Sequence, residues 1–257
     1  MKKTATLIGV VLLFLYRSVA AETVTIAVGE WPPYTSQVVP SAQVAQKIVT
    51  AAFLLEGVHV EYRYFPWKRA YVEVRQGHVD ATFPWYKSKA RTEAFLFNHE
   101  PLLHGQEVFF HLKTLDFRWR GFDDLKRYRV GGTLGFFDTS LLEQHGVAVD
   151  KVSSEEQNFE KMLRGRVDVY ATTREVGYYL IHKLFSPTQA ALFTHDPTPL
   201  HEADAFVMFS REIPQSEALI SKLDRGLRML KASGRYGEIL STVSSPSAEK
   251  IRPFAPF

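Results

Sequence analysis

The chain has 257 residues, no cysteine, 31 basic against 28 acidic side chains, and 46% hydrophobic residues. That length gives one large domain or two small ones a buried core. The lack of cysteine excludes a disulfide scaffold, thiolate metal sites, iron–sulfur ligation and a Cys nucleophile. Aromatic residues at 13%, with no polar low-complexity tract, argue against disorder.

Residues 1–21 read as a targeting signal. Lys2 and Lys3 form a positive start, Leu7 to Tyr16 a short apolar run, and Ser18-Val19-Ala20 offers small residues at signal-peptidase offsets. The run is too short for a comfortable membrane span, and Arg17 closes it. Cleavage would remove Lys2, Lys3 and Arg17 but no acid, and so leave residues 22–257 without net charge. Nothing electrostatic then draws the chain to nucleic acid or anionic lipid. The expectation is an exported, periplasmic, monomeric protein.

From residue 23 the pattern alternates between strand and helix. Thr23 to Gly29 is β-rich, and Glu30-Trp31-Pro32-Pro33-Tyr34 is a loop, because two prolines forbid helix or central strand. Ser41 is placed to cap a helix with Val44, Ile48, Val49, Ala52 and Phe53 on one face, ended by Gly57. Val58 to Phe65 alternates as a strand, Trp67 to Gln76 is helical, and Val79 to Phe83 returns as a strand. Further on, Gln106 to Leu112 and Ala203 to Phe209 read as strands connecting two lobes. Ser216 to Lys231 is a long amphipathic helix ended by Gly234, with a short helix to Ser241 and an extended tail from Ile251 to Phe257. Such alternation predicts an α/β fold with mainly parallel strands.

A weak internal repeat suggests two similar lobes. Val74-Arg75-Gln76-Gly77-His78-Val79-Asp80 resembles Leu163-Arg164-Gly165-Arg166-Val167-Asp168, each a helix end, a glycine and then Val-Asp entering a strand. In the second copy Ser153-x-x-Glu156 reads as a capping box. Two strands crossing between lobes imply a hinge, and ligand sites favour such interfaces.

These motifs in order resemble the family 3 extracellular solute-binding proteins, the periplasmic receptors of polar amino-acid ABC importers. They comprise the Trp-Pro-Pro-Tyr loop after the first strand, Gly-x-Val-Asp-Ala, a following Lys-x-x-x-Arg with Asn-x-Glu-Pro, the second Val-Asp, and a terminal Gly-Arg-Tyr-Gly. The likeness runs from Thr23 to about Val243, and Phe65-Pro66-Trp67-Lys68-Arg69-Ala70 is similar to one branch of that family. The resemblance implies a two-lobed periplasmic-binding-protein type II fold. One lobe would comprise residues 22–110 plus 206–257 and the other 111–205, with a small polar solute held in a closing cleft.

The resemblance also implies site residues. Arg91 falls at the carboxylate-binding position, Trp31 or Tyr34 at that of the covering aromatic, and Gly132-Thr133-Leu134 at that of the second lobe's donors. Two positions depart from the family. Thr173, followed by Arg174, stands where amino-acid receptors carry an aspartate for the ligand's ammonium, and Tyr86 replaces a threonine. Glu30 or Glu175 would have to supply the missing acid.

Read as chemistry, Arg91 can fork two N–H bonds onto a carboxylate. Trp31, Tyr34, Trp67, Trp85 and Tyr86 lie at strand ends or helix starts, where α/β sheets meet ligands. Thr133 sits among glycines able to present backbone N–H groups, and an inward Arg174 would favour an anion. The histidines (His99, His104 and His111; His195 and His201 near Asp196 and Asp204) lack the spacing of a zinc site, so neither metal nor cofactor is expected. The leading expectation is a non-enzymatic receptor delivering a small polar solute, an amino acid or related carboxylate, to an ABC permease. The alternatives are a sensing module docking on a separate membrane signalling protein, and a cyclohexadienyl-dehydratase-like enzyme recruiting Glu30, Glu175 or Glu202.

Overall fold

The computed structural model describes residues 22–243, so the targeting segment expected at 1–21 and the extended tail expected at 251–257 lie outside the described residues. In chain order the elements are β1 (Glu22–Val28), α1 (Val44–Leu55), β2 (Val58–Tyr64), α2 (Trp67–Arg75), β3 (Ala81–Tyr86), α3 (Lys89–Ala94), β4 (Leu96–Phe97) and β5 (Leu103–Leu112). There follow α4 (Phe122–Leu125), β6 (Val130–Thr133), α5 (Phe137–Gln144), β7 (Val149–Val152), α6 (Glu155–Leu163), β8 (Val169–Thr173), α7 (Arg174–Leu184) and α8 (Pro187–Ala190). The last are β9 (Phe193–His195), β10 (His201–Phe209), α9 (Ser216–Ala232) and α10 (Arg235–Ser241).

The strands pair along the path β2-β1-β3-β10-β5-β8-β6-β7, with β4 beside β10 and β9 beside β5. β2, β1 and β3 are parallel to one another, as are β7, β6 and β8. β10 runs antiparallel to β3, β5 antiparallel to β8, and β10 and β5 pair with each other from His201↔Glu107 to Ala205↔Leu103. Each lobe therefore repeats one plan: three parallel strands with the first in the middle, extended by one antiparallel strand that arrives from the other lobe. This is the expected two-lobed α/β architecture, but its sheet is mixed: parallel among the three strands of each lobe and antiparallel wherever β5 or β10 pairs.

The repeat has a structural basis. Gly77 and Gly165 both adopt the left-handed conformation (φ 74° and 64°) that ends a helix sharply. In each copy the following aspartate receives a backbone N–H from the neighbouring strand or the residue leading into it: Thr25 of β1 donates to Asp80, and Arg129, just before β6, to Asp168, both at 2.8 Å. These carboxylates fasten strand to strand within each lobe.

Three local expectations shift. Ser41 lies in a 3-10 turn (Pro40–Ala42), and α1 begins after Gln43 with no side-chain cap. The capping box of α6 is made by Ser154 and Gln157, one residue beyond the predicted pair. β3 runs on through Pro84 to Tyr86 instead of ending at Phe83. The β10 register shifts between Phe206, opposite Trp85, and Met208, opposite Thr82, so Pro84, which has no N–H, sits at a bulge where the ladder is interrupted.

Apolar residues cover both faces of the lobes' sheets, with one cluster of Val24, Ile26, Phe53, Phe83, Leu223 and Leu227 under α1 and α9, and another of Ala27, Ala70, Val74 and Phe95 under α2. α1 and α9 touch backbone to backbone, since a Cβ at Gly226 would lie 2.1 Å from the Ala52 carbonyl oxygen. That oxygen belongs to a helix and cannot yield. Gly226→Ala is expected to part the two helices at a cost of about 3 kcal/mol, read as a lower urea midpoint with an unchanged m-value.

Candidate functional site

The loops after β1, β3, β6 and β8 leave the carboxyl ends of parallel strands, where α/β folds build sites. These loops, the strand ends before them and the helices after them carry all but one of the residues predicted for the site. From the first lobe come Glu30, Trp31 and Tyr34, then Trp85, Tyr86 and Arg91; from the second come Thr133, Thr173 and Arg174. Trp67, at the start of α2, completes the set, its ring resting on Gly29, where any Cβ would lie 2.5 Å from the indole.

The two lobes approach each other directly. The Tyr34 hydroxyl donates to Glu175 Oε2 at 3.3 Å, and Arg174 grips Glu175 Oε1 with Nε and Nη2 at 3.0 and 2.7 Å. Arg174 Nη1 also donates to Gln106 on β5 at 2.9 Å. The Arg174 guanidinium is thereby committed to its own helix and the connecting strand. Trp31 tilts against Tyr34 with ring centroids 5.0 Å apart.

Beside this contact lies an aromatic wall. Trp67 meets Trp85 edge-on at 5.5 Å, Tyr71 meets Trp85 at 5.9 Å, and the Arg91 guanidinium lies over the Trp85 ring at 4.8 Å. Arg91 Nη1 donates to the Tyr86 carbonyl at 2.8 Å. No carboxylate among the described residues pairs with Arg91. Burial lowers its pKa, a sign that its charge is partly desolvated, with Tyr71 opposing.

Not every predicted residue presents a free group. The Thr133 hydroxyl lies between Tyr170 Oη (2.9 Å) and Asn158 Nδ2 (3.0 Å), and its backbone N–H donates to Thr139 Oγ1. Leu134 N–H donates to the Val152 carbonyl, so the expected donors at 133 and 134 are spent on the lobe itself. Thr173 is buried with its hydroxyl on Glu107. The Glu30 side chain is exposed, accepting from Gln37 N–H, while its carbonyl accepts from the Trp67 indole at 3.3 Å. Glu202 is exposed and takes the Gln106 amide.

Sequence reasoning passed over three buried acids, Glu107, Asp138 and Glu155. Glu107, at the midpoint of β5 and 2% exposed, accepts from Tyr86 Oη at 2.7 Å and Thr173 Oγ1 at 2.6 Å, both on Oε1. Gly105, two residues earlier, leaves the space that the Tyr86 hydroxyl fills, a Cβ there lying 2.6 Å from it. Asp138 at the start of α5 accepts from His201 Nε2 at 2.7 Å, and His201 meets both Tyr86 and Phe137 edge-on. Glu155 accepts from Tyr170 and Thr172. Burial, then the neighbouring Asp138, drives the Glu107 pKa well above the carboxylate range against its two hydroxyl bonds. The one available signal for Glu107 was an acid leading directly into the apolar run Val108-Phe109-Phe110 of a strand.

Glu155 gives a pH test. Burial pushes its carboxyl up to about 7, only partly offset by the Thr172 and Tyr170 hydroxyls. The unfolded chain releases that proton near the ordinary carboxylate value, about 4.3. Between these values the native state holds the extra proton, so stability falls as pH rises towards 7 and levels off above it. Urea unfolding of Glu155→Gln is expected to lose about 3 kcal/mol of the difference between pH 5 and pH 8.

No protein-family model matches the chain, and no curated protein matches it in sequence. Its structure nevertheless resembles many solved ones. One is a histidine kinase sensor domain with similarity to periplasmic binding proteins, at TM-score 0.71 and 16% identity over 86% of this chain and 96% of that one. Another is AbpA from Streptococcus pneumoniae, an amino acid ABC transporter substrate-binding protein bound to L-arginine, at TM-score 0.70 and 14% identity over 86% and 94%. A third is an ancestral arginine-binding protein bound to arginine, at TM-score 0.68 and 18% identity over 87% and 99%. These likenesses span nearly the whole of each neighbour and define the fold of this chain as the two-lobed periplasmic-binding-protein type II fold.

Proposed function

We propose that the chain is a periplasmic receptor that captures a small polar solute, an amino acid or related carboxylate, between its lobes. The observation that carries this reading is Arg91, half-buried against Trp85 and without a carboxylate of its own among the described residues. A desolvated guanidinium with free N–H groups is costly unless something anionic completes it, and a ligand carboxylate is the complement. Trp31, Tyr34, Trp67, Trp85 and Tyr86 supply apolar faces, and Arg174 with Glu175 forms the opposing lip. The lobes comprise residues 22–110 with 206–257, and 111–205, turning about β5 and β10. The binding role is supported by the acids near the contact between the lobes, Glu107, Asp138, Glu155 and Glu175, each of which has a hydrogen-bonding partner within the protein.

Delivery to an ABC permease is the favoured use of the captured solute. Docking on a membrane sensor is the second reading, favoured by the likeness to a histidine kinase sensor domain. Both begin with the same binding step. That step is tested by melting residues 22–257, refolded free of carried-over ligand, against amino acids, polyamines, dicarboxylates and small aromatic acids. A ligand at 100 times its Kd adds about 2.7 kcal/mol, a rise of several degrees. A folded chain that answers to none of these compounds counts against the reading.

A further inference from the structure

The second lobe holds a cavity of about 470 Å³ between the far half of α7, α8, β9 and the residue after β5. That volume suits a small-molecule site. None of the residues predicted for the interlobe site lines it, and His182 on its wall lies about 12 Å along α7 beyond Arg174. Its walls are aromatic: Phe185 and Phe193 stack at 5.1 Å with planes 18° apart, and Tyr178 and His182 lie 6.5 Å apart at 26°. Ala190 and Phe193, the two buried members, form the floor. The walls are set before anything binds. Pro187 opens α8 beside the capping box of Ser186 and Gln189, and the Tyr178 hydroxyl lies 2.7 Å from His195 Nδ1 on β9. At the edge stands Lys113, exposed and with no carboxylate paired to it among the described residues, whereas Lys183, next to His182, has Glu156 at 3.7 Å. No acid among the described residues lines the cavity.

We propose that this cavity is a second ligand site, for a small planar aromatic acid, with its ring against Tyr178, Phe185 and Phe193 and its carboxylate on Lys113. Stacked aromatic side chains present flat faces and edges that favour another aromatic ring over an aliphatic one of similar size. Burial of that ring supplies the affinity, and the charge-assisted bond to the ammonium selects an anion over its neutral amide. A cationic amine finds no partner in this lining and has Lys113 against it. Preformed walls keep the cost of ordering the site small. The site takes its own ligand and stands apart from the receptor reading.

The test is titration calorimetry of residues 22–257, freed of carried-over ligand, with indole-3-acetate and benzoate. Indole-3-acetamide and cyclohexanecarboxylate serve as the neutral and the non-aromatic counterparts. Each aromatic acid is expected to bind at least ~10-fold more tightly than its counterpart, and Lys113→Gln to weaken that binding at least ~10-fold. Ala191→Trp, at an exposed lining position, is expected to fill the cavity and abolish the binding. Arg91→Ala is expected to leave it unchanged, which separates this site from the interlobe one. Lys113 is itself exposed, so its substitution keeps the test decisive if the tryptophan variant folds poorly. Several results would overturn the proposal: no binding by either aromatic acid, equal binding by the amide or the cyclohexane acid, or binding indifferent to Lys113→Gln or Ala191→Trp. Binding lost in Arg91→Ala overturns it too, and moves the acid to the interlobe site. Failure here, with a polar solute still captured through Arg91, leaves the receptor reading intact.

Discussion

Arg91→Ala is expected to weaken solute binding by at least ~100-fold while leaving the empty protein's melting temperature within a degree or two of wild type. The two effects separate because Arg91 contributes little to the fold. Its one side-chain hydrogen bond goes to the Tyr86 carbonyl, its ring contact is with Trp85, and no acid among the described residues pairs with it. Removing a guanidinium that is partly desolvated relieves a cost in the empty state. In the bound state the same removal strands the ligand's carboxylate, a loss of about 2–5 kcal/mol for a buried charge-assisted pair. Arg91→Lys keeps the charge but not the planar fork, so its affinity is expected to fall between the two. Titration calorimetry gives the affinities, and melting of the empty variants gives the control. A large loss of stability in the empty alanine variant would make Arg91 a structural residue and withdraw it from the site.

Asp224→Ala is expected to have the largest effect on stability, about 4 kcal/mol, with a fall of roughly 10 °C in Tm. Its carboxylate, on α9, is a buried acceptor for Asn98 Nδ2 (3.1 Å), His99 N–H (3.0 Å), Glu100 N–H (2.9 Å) and the His99 ring (2.9 Å). These donors lie in the turn that leads into β5, so one side chain fixes where the connecting strand begins. Alanine leaves the His99 and Glu100 backbone N–H groups without this acceptor and the buried Asn98 amide with the Glu100 carbonyl alone. Burial alone would raise the Asp224 pKa, but the bonds from Glu100, His99 and Asn98 outweigh it and hold the group below its usual value. An acid depressed in the folded state contributes stability above its unfolded pKa, about 3.9. The contribution drains away as pH falls further, through the folded value. Wild type is therefore expected to lose stability below about pH 4 more steeply than Asp224→Ala, the opposite dependence to that of Glu155 between pH 5 and 7.

Local signals in the sequence carry the architecture well. The Gly77 and Gly165 repeat marks two equivalent units because a left-handed helix end followed by a strand-fastening aspartate is a short-range device, written in consecutive residues. The Trp31–Tyr34 loop, the start of α2 and the strands β5 and β10 are legible for the same reason. Ser41 and Ser153 were misplaced by a residue or more, because several polar residues near each helix start can serve as caps and packing selects among them. Pro84 hid the end of β3, since a proline argues against a central strand unless a bulge removes the need for its N–H.

The cleft's charges are a different matter. Glu107 meets Thr173 because β5 and β8 pair in one register, and meets Tyr86 because Gly105 leaves a gap, relations between residues 66 and 21 positions apart. Thr133 and Thr173 have the chemistry of ligand donors, but their hydroxyls are taken by Tyr170, Asn158 and Glu107. Composition cannot report which polar groups are already satisfied.

The central claim is that a solute held between the lobes brings them together, and the lack of native cysteine makes it directly measurable. Lys89→Cys on α3 and Ser140→Cys on α5 place one exposed labelling site on each lobe. The spin-label distance between them, measured by double electron–electron resonance, is expected to shorten and narrow with the compound that most raises the melting temperature. It is expected to stay unchanged with that compound in the Arg91→Ala background. A distance distribution indifferent to a compound that demonstrably binds the wild-type chain would contradict the account.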